Sequence, residues 1–307
     1  MRVRAVLNPR AGLRARRARA AMEGTPVPWT LEIAETRGPG HAVELAAEAA
    51  ARGDLAVLAV GGDGTANEVA RGLLGTETAL GLLPMGSGNG LARALGMPLR
   101  PGAALRTLAT SVVRPIDVGT ANGRPFINVA GAGFDAAVGA LFHEHGRRGG
   151  RRGIFTYVRK GFRAMLSYRA QVLRVEAEGQ VFEGPALLVT FANGRQYGAE
   201  AVIAAGSRLD DGLLDVVVLE DASVPELLLH APRLFLGGLE RFRRYRRFPA
   251  ARAVLTSATA TAFHRDGEPD EPEERVEIAV RPRALKMLVP AATAADPRGP
   301  FGPTPGS

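Results

Sequence analysis

Cysteine is absent from this chain of 307 residues. That excludes disulfides, thiolate nucleophiles and cysteine-ligated zinc, and it is compatible with a reducing cytosol. Lysine is nearly absent too: Lys160 and Lys286 are the only two in a Lys+Arg total of 39. Arginine therefore reads as generally basic, not as a phosphate clamp at each position. No apolar run approaches the roughly 18 to 20 residues of a membrane span. The apolar run within the start, Met1 to Pro9, is too short for a signal peptide. What is present is ample apolar content, 46%, for packed cores, and a formal charge of +8 that favours anionic partners.

The chain is organised around Leu55 to Leu74. The unbroken apolar run Leu55–Val60 is short enough for a strand buried on both faces. Val69, Leu73 and Leu74 then share one side of a helix. Between them, Gly61-Gly62-Asp63-Gly64-Thr65 lets the backbone turn sharply and lets a ligand approach bare N–H groups at the positive end of that helix. Asp63 would repel phosphate unless a cation stood between them, which points to Mg²⁺. A plain turn, in which Asp63 serves only the loop, is the other reading.

Strands are expected at Arg2–Leu7, Trp29–Ala34, Leu55–Val60 and Leu80–Leu83, and helices at Leu13–Met22, His41–Ala51 and Pro101–Thr110. This alternation predicts βαβ units on a parallel sheet, with ligands at the carboxyl ends of the strands. Thr36, the glycine loop and Pro84-Met-Gly-Ser-Gly-Asn-Gly90 then lie on one rim. Ser87 would cap the next helix or help wall a nucleotide site. From Val172 onward short strands follow one another, interrupted by a helical stretch at Ser223–Leu236, which predicts an antiparallel sandwich. The expected division is 1–119, rejoined by about 283–290, then 120–282, with 291–307 a mobile tail. Two basic–aromatic stretches, His143–Ser167 and Glu240–Phe248, read either as ordinary packed elements with a solvated arginine edge or as segments lying on an anionic membrane. No nucleic-acid fold motif accompanies them.

Gly-Gly-Asp-Gly-Thr (61–65), Asn8-Pro-x-Ala-Gly12, Pro84-x-Gly-Ser-Gly-Asn89, Phe126-x-Asn-x-x-Gly-x-Gly-Phe-Asp135 and Asp266-Gly-Glu268 occur in the order in which the diacylglycerol kinase catalytic-domain family carries them. That family includes the sphingosine kinases and is distantly related to NAD kinases. The resemblance spans Val6 to Pro290. Gly90 stands where bacterial lipid kinases usually carry an acid, and Ser87 replaces their commoner Thr.

The resemblance implies an NAD kinase-like α/β domain followed by a β-sandwich, with the final strand returning to the first domain. It implies ATP held by Asn8, Thr36, Gly61, Gly62, Asp63, Gly64, Thr65, Asn67, Glu68, Ser87 and Asn89, with Asp63 acting through Mg²⁺ and Glu268 as the base toward a lipid hydroxyl. Asp135 is either a substrate contact or a helix cap. Asp210-Asp211-Gly212 reads from spacing as a hairpin turn. The resemblance assigns it a structural Mg²⁺ held by Asp211 and the main-chain oxygens of Arg208 and Leu213. The expected protein is a lipid kinase at the cytoplasmic face of an anionic membrane, with a homodimer left open. The rivals are an NAD kinase and a non-catalytic lipid- or nucleotide-binding regulator.

Overall fold

The computed structural model describes residues 1–134, 136, 168–197 and 201–302. Asp135 and nearly all of the basic stretch from His143 lie outside them.

The first half runs β1 (Arg2–Leu7), α1 (Leu13–Gly24), β2 (Thr30–Glu35), α2 (His41–Ala51), β3 (Ala56–Gly61), α3 (Asp63–Leu73), β4 (Ala79–Pro84), α4 (Gly90–Ala94), α5 (Pro101–Ala109) and β5 (Val112–Ala121). There follow β6 (Arg124–Phe126), β7 (Val129–Gly133), β8 (Gln171–Ala177), β9 (Gln180–Ala192) and β10 (Leu214–Glu220). The chain then forms α6 (Val224–His230), α7 (Arg233–Leu236), β11 (Tyr245–Ala250), β12 (Arg252–Thr261), β13 (Phe263–Arg265), β14 (Glu268–Pro269), β15 (Glu273–Val289) and α8 (Ala291–Ala295).

Strands β1 to β4 form the expected parallel sheet in the order β2-β1-β3-β4. β3 and β4 are buried along their whole length, as strands covered on both faces must be. Helix α1 turns Ala15, Ala18 and Met22 to the sheet and its arginines outward. Helices α2 and α3 pack closely because Gly72 lies against α2, where a Cβ would come within 2.4 Å of the Val43 carbonyl oxygen.

The second half is antiparallel, β12-β8-β9-β7-β13-β14, with β10 and β11 continuing from β9. Strand β15 joins the halves: it pairs antiparallel with β12 and β5, and Met287 reaches Leu80 of β4 in parallel. The returning strand is therefore present. Val276 and Ile278 enter the core of the second half, while Leu285, Met287 and Val289 enter that of the first.

Two expectations are corrected. Of the two readings of Glu240–Phe248, the packed element with an arginine edge is found over Tyr245–Ala250, strand β11, in which Arg247 pairs with Asp215, Arg246 with Glu220, and Phe248 is buried. The apolar pattern at Ala201–Ile203 predicts one of the short strands after Val172, but this segment makes a single bridge, Gln196 to Val202. Residues 291–302, expected as part of a mobile tail, pack instead of trailing. Thr293 donates to the Leu95 carbonyl at 2.8 Å, Leu209 N–H donates to the Pro300 carbonyl at 2.8 Å, and Phe301 is buried under the Arg114 guanidinium. A single aromatic residue in an otherwise weakly apolar tail supplies that anchor. No helix among the described residues is long and apolar enough to cross a membrane.

Candidate active site

Two strand-to-helix loops meet at the carboxyl ends of β3 and β4. They touch backbone to backbone: a Cβ on Gly86 would lie 2.7 Å from the Gly62 Cα. Gly61 is equally crowded, by the side chain of Thr65. Glycine is needed at these positions for close approach, and none of the three has the left-handed backbone that favours it.

Asp63 opens α3 but does not cap it. Its two carboxylate oxygens accept from the N–H groups of Asn89 and Gly90, each at 2.8 Å, so the acid of the first loop ties down the second. Burial pushes its pKa up, against those two hydrogen bonds and the nearby positive charge of Arg93. Asn89 has left-handed backbone, φ +52°, and clasps Gly86 with both ends of its amide at 2.9 Å. This corrects the expected helix cap: Asn89, not Ser87, occupies the cap position, and Ser87 is exposed. Arg14 of α1 donates to the Gly86 carbonyl at 2.8 Å, a clamp that the sequence did not single out.

Asn8 reaches the same place from β1, donating to the Thr65 hydroxyl at 3.2 Å. Thr36 ends β2, its N–H bonded to the Leu7 carbonyl at 2.9 Å. Asn67 is buried with its side-chain oxygen unpartnered. Glu68 accepts from the Ala42 N–H, at the start of α2, at 3.3 Å.

The turn between β13 and β14 brings the distant acids in. A Cβ on Gly64 would lie 2.7 Å from Glu268 Oε1, so the Glu268 carboxylate rests against the glycine loop. Glu268 thus meets the loop that carries Asp63, whose own carboxylate is turned to the Asn89 and Gly90 N–H groups. Asp266, with φ +50°, holds the chain entering β7 through the N–H groups of Ile127, Asn128 and Val129, at 2.8, 2.8 and 3.0 Å. Burial pushes Asp266 up to about 6 despite these three bonds, and the Asp63 charge adds to the rise. The carboxylates of Asp63 and Asp266 are thus taken up by main-chain N–H groups, and Glu268 is the exposed acid of the three.

Asp266 was not read as a site residue, although it stands in the quoted motif. Its role depends on a chain segment 137 to 139 residues away. Asn128, Gln196 and Tyr197 were missed for the same reason. They pack against Gly90, where a Cβ would meet Asn128 Nδ2 at 2.9 Å and the Tyr197 carbonyl oxygen at 3.0 Å. An acid at position 90 would not fit this packing.

The Asp210–Asp211 turn has a different set of partners. Asp210 pairs with Arg114 at 2.8 Å, Asp215 with Arg247 at 2.8 Å, and Asp117 accepts from Gly212 and Arg283 N–H at 2.6 and 2.7 Å. Asp211 accepts only the Leu213 N–H, at 3.1 Å. Burial, and then Asp117, Asp215 and Asp210, push its pKa up. A cation held by one carboxylate, main-chain oxygens and water would suit that potential. Among the described residues no cluster of three or more His, Asp or Glu forms a metal site.

The family model of the diacylglycerol kinase catalytic domain matches residues 2–121, and that of the YegS C-terminal NAD kinase beta sandwich-like domain matches residues 128–289. The chain is 34% identical over 267 residues to a Pseudomonas putida protein named "Probable lipid kinase YegS-like", covering 86% of this chain and 87% of that one. It is 35% identical over 192 residues to the diacylglycerol kinase of Bacillus subtilis, covering 62% and 63%. Among solved structures, a diacylglycerol kinase from Bacillus anthracis superposes with TM-score 0.73 at 22% identity, covering 95% of this chain and 97% of the other. At that identity the likeness shows the fold.

Proposed function

The chain belongs to the diacylglycerol kinase catalytic domain family and is a lipid kinase; we propose that it transfers the γ-phosphoryl group of ATP to the hydroxyl of a lipid alcohol, a diacylglycerol or a sphingoid-like alcohol. The observation that carries this reading is the approach of Glu268 to Gly64, which sets a carboxylate over a glycine loop built for phosphates. The N–H groups of Gly61 to Thr65 and the positive end of α3 receive the triphosphate. Asn8, Thr36, Asn67, Glu68, Ser87 and Asn89 surround the nucleotide. Glu268, exposed on a two-residue strand, accepts the proton of the attacking hydroxyl. Asp266 keeps the 127–129 segment and the Glu268 turn in register.

When bound, Mg²⁺ supplies charge neutralisation between Asp63 and the phosphate oxygens. A second ion at Asp211 and the main-chain oxygens of Arg208 and Leu213 would be structural. Asp135 would contact the lipid alcohol. Residues 1–119 hold the nucleotide and 120–282 the lipid, and the enzyme works at the cytoplasmic face of an anionic membrane.

The experiment is phosphate transfer from labelled ATP to a panel of lipid alcohols in mixed micelles, with NAD in parallel and with and without Mg²⁺. Labelled phospholipid that forms only with Mg²⁺ supports the proposal. Labelling of NAD alone removes it, and ATP consumption with no lipid product removes the acceptor assignment.

A further inference from the structure

The helical hairpin α6–α7 has two faces. Leu227 and Leu234 pack inward with Leu239 and Phe242 against a core that includes Val129, Ile203, Val217 and Leu219, and His230 packs on Phe242 with ring centroids 4.2 Å apart and the planes tilted by 40°. The outer face is apolar as well. Leu228 is 43% exposed, Leu229 73%, Phe235 55% and Leu236 85%. Large apolar side chains collected at one exposed tip are not the usual solvent face of a short helix. The base is fixed: Ser223 and Glu226 form a capping box, and Arg243 donates to Glu226 at 2.6 Å.

Charge around the tip selects the partner. Between residues 224 and 247 there are six arginines and two glutamates. Arg243, Arg246 and Arg247 are committed to Glu226, Glu220 and Asp215. Among the described residues Arg233, on α7 itself, and Arg241, at its base, have no ion-pair partner. Apolar side chains inside a basic border complement a bilayer whose headgroups are anionic. Four partly exposed side chains also fall short of the roughly 800 Å² per partner that a stable protein interface takes.

The hairpin is connected to the active site. Val202 N–H donates to the Leu234 carbonyl at 2.7 Å, Val202 bridges to Gln196, and the Gln196 amide reaches the Gly90 carbonyl at 3.4 Å. We propose that the α6–α7 tip, Leu228, Leu229, Phe235 and Leu236, is the element that inserts into an anionic lipid surface and holds the lipid side of the cleft against it. This rests on the lipid-kinase reading and specifies the surface through which that enzyme meets its substrate.

The test is co-sedimentation of the full chain with phosphatidylcholine vesicles containing about one third phosphatidylglycerol, a negatively charged surface. Leu229→Glu/Leu236→Glu is compared with the wild type. The expected result is partitioning at least about tenfold weaker for the double variant, as follows from placing charge where apolar area was buried. Wild-type binding should also weaken in about 1 M NaCl, where the screening length is ~3 Å. Circular dichroism should be unchanged, as should turnover of a short-chain diacylglycerol or sphingoid alcohol kept monomeric in solution. A second variant, Leu236→Trp, should show blue-shifted emission on adding the same vesicles. Equal partitioning of the double variant and the wild type overturns the proposal. So does a self-associating wild type that the double substitution makes monomeric, because the tip would then cover a second copy. If neither protein phosphorylates any monomeric alcohol, the kinase reading fails while the sedimentation result still decides the docking surface.

Discussion

At the scale of the residue, Glu268 and Asp63 meet at one glycine loop but differ in what holds them. Glu268 is exposed, so Glu268→Gln should leave stability within about 0.5 kcal/mol while phosphate transfer falls at least about a hundredfold, the scale of a general base. Steady-state kinetics beside a urea melt separates the two. Gly64→Ala should resemble it: the new Cβ meets only the flexible end of Glu268, so the fold survives and the carboxylate is displaced. Asp63→Ala acts on both quantities. Two amides lose their acceptor, about 2–4 kcal/mol at the usual penalty per buried donor, and activity falls as well. Asp266 sets a pH dependence. Its native pKa, about 6, is above the unfolded value. Between about pH 4 and 6 the folded state therefore holds the extra proton, and this group's contribution to stability falls as pH rises through that window. Activity should move the opposite way, because the ionised carboxylate accepts all three N–H groups of residues 127–129. A kcat/KM profile that rises through an apparent pKa near 6 is expected, and a flat profile from pH 5 to about 7 would remove Asp266 from its positioning role.

At the scale of the element, the α2–α3 contact shows packing overruling propensity. Alanine is favoured over glycine inside a helix by about 1 kcal/mol. At Gly72, however, a Cβ would lie 2.4 Å from the Val43 carbonyl oxygen and 2.8 Å from the Ala46 Cβ, atoms that cannot swing aside. Gly72→Ala should therefore destabilise by roughly 1–3 kcal/mol, the range for overpacking, and a urea midpoint at or above wild type would contradict the packing argument. The same competition explains what could be read beforehand. The parallel strands were legible because burial on both faces leaves an unbroken apolar run that only β3 and β4 type strands need. The antiparallel half was legible as a class but not in its joints. β9 runs unbroken through Gly184 and Pro185, which read as a break. β15 runs through Pro282 and the left-handed Arg283, held because Asp117 accepts the Arg283 N–H at 2.7 Å. β11 was hidden by arginines whose partners, Asp215 and Glu220, lie on β10, far away in sequence. At the candidate site, residues inside short glycine-rich motifs could be recognised. Asp266 and Asn128 stood in quoted motifs, but their roles, like that of Arg14, could not be read, because their bonds are made across sequence distances that no local pattern encodes.

At the scale of the whole molecule, β15 makes the two halves mechanically one. Its first part lies in the core built around Phe191 and Val218, and its last part in the core built around Leu58 and Leu80. Asp117, buried between them, accepts N–H groups from both Gly212 and Arg283, so neither half closes its own hydrogen bonds. The proposed site draws on both halves, since Glu268 approaches Gly64 from the second half, and it therefore depends on this rigidity. Trp29, the single tryptophan, packs against the first core and reports on that half alone. Phe191 is fully buried in the second. Phe191→Ala should remove about 3–5 kcal/mol, as large-to-small core substitutions do. If the halves unfold together, that loss appears in the Trp29 fluorescence transition at the same urea concentration as in far-UV circular dichroism. A Trp29 midpoint that stays at the wild-type value while the dichroism midpoint drops would show two independent units. The shared strand would then be a loose tether, and the geometry between Asp63 and Glu268 would have to be set by bound substrates instead of by the fold.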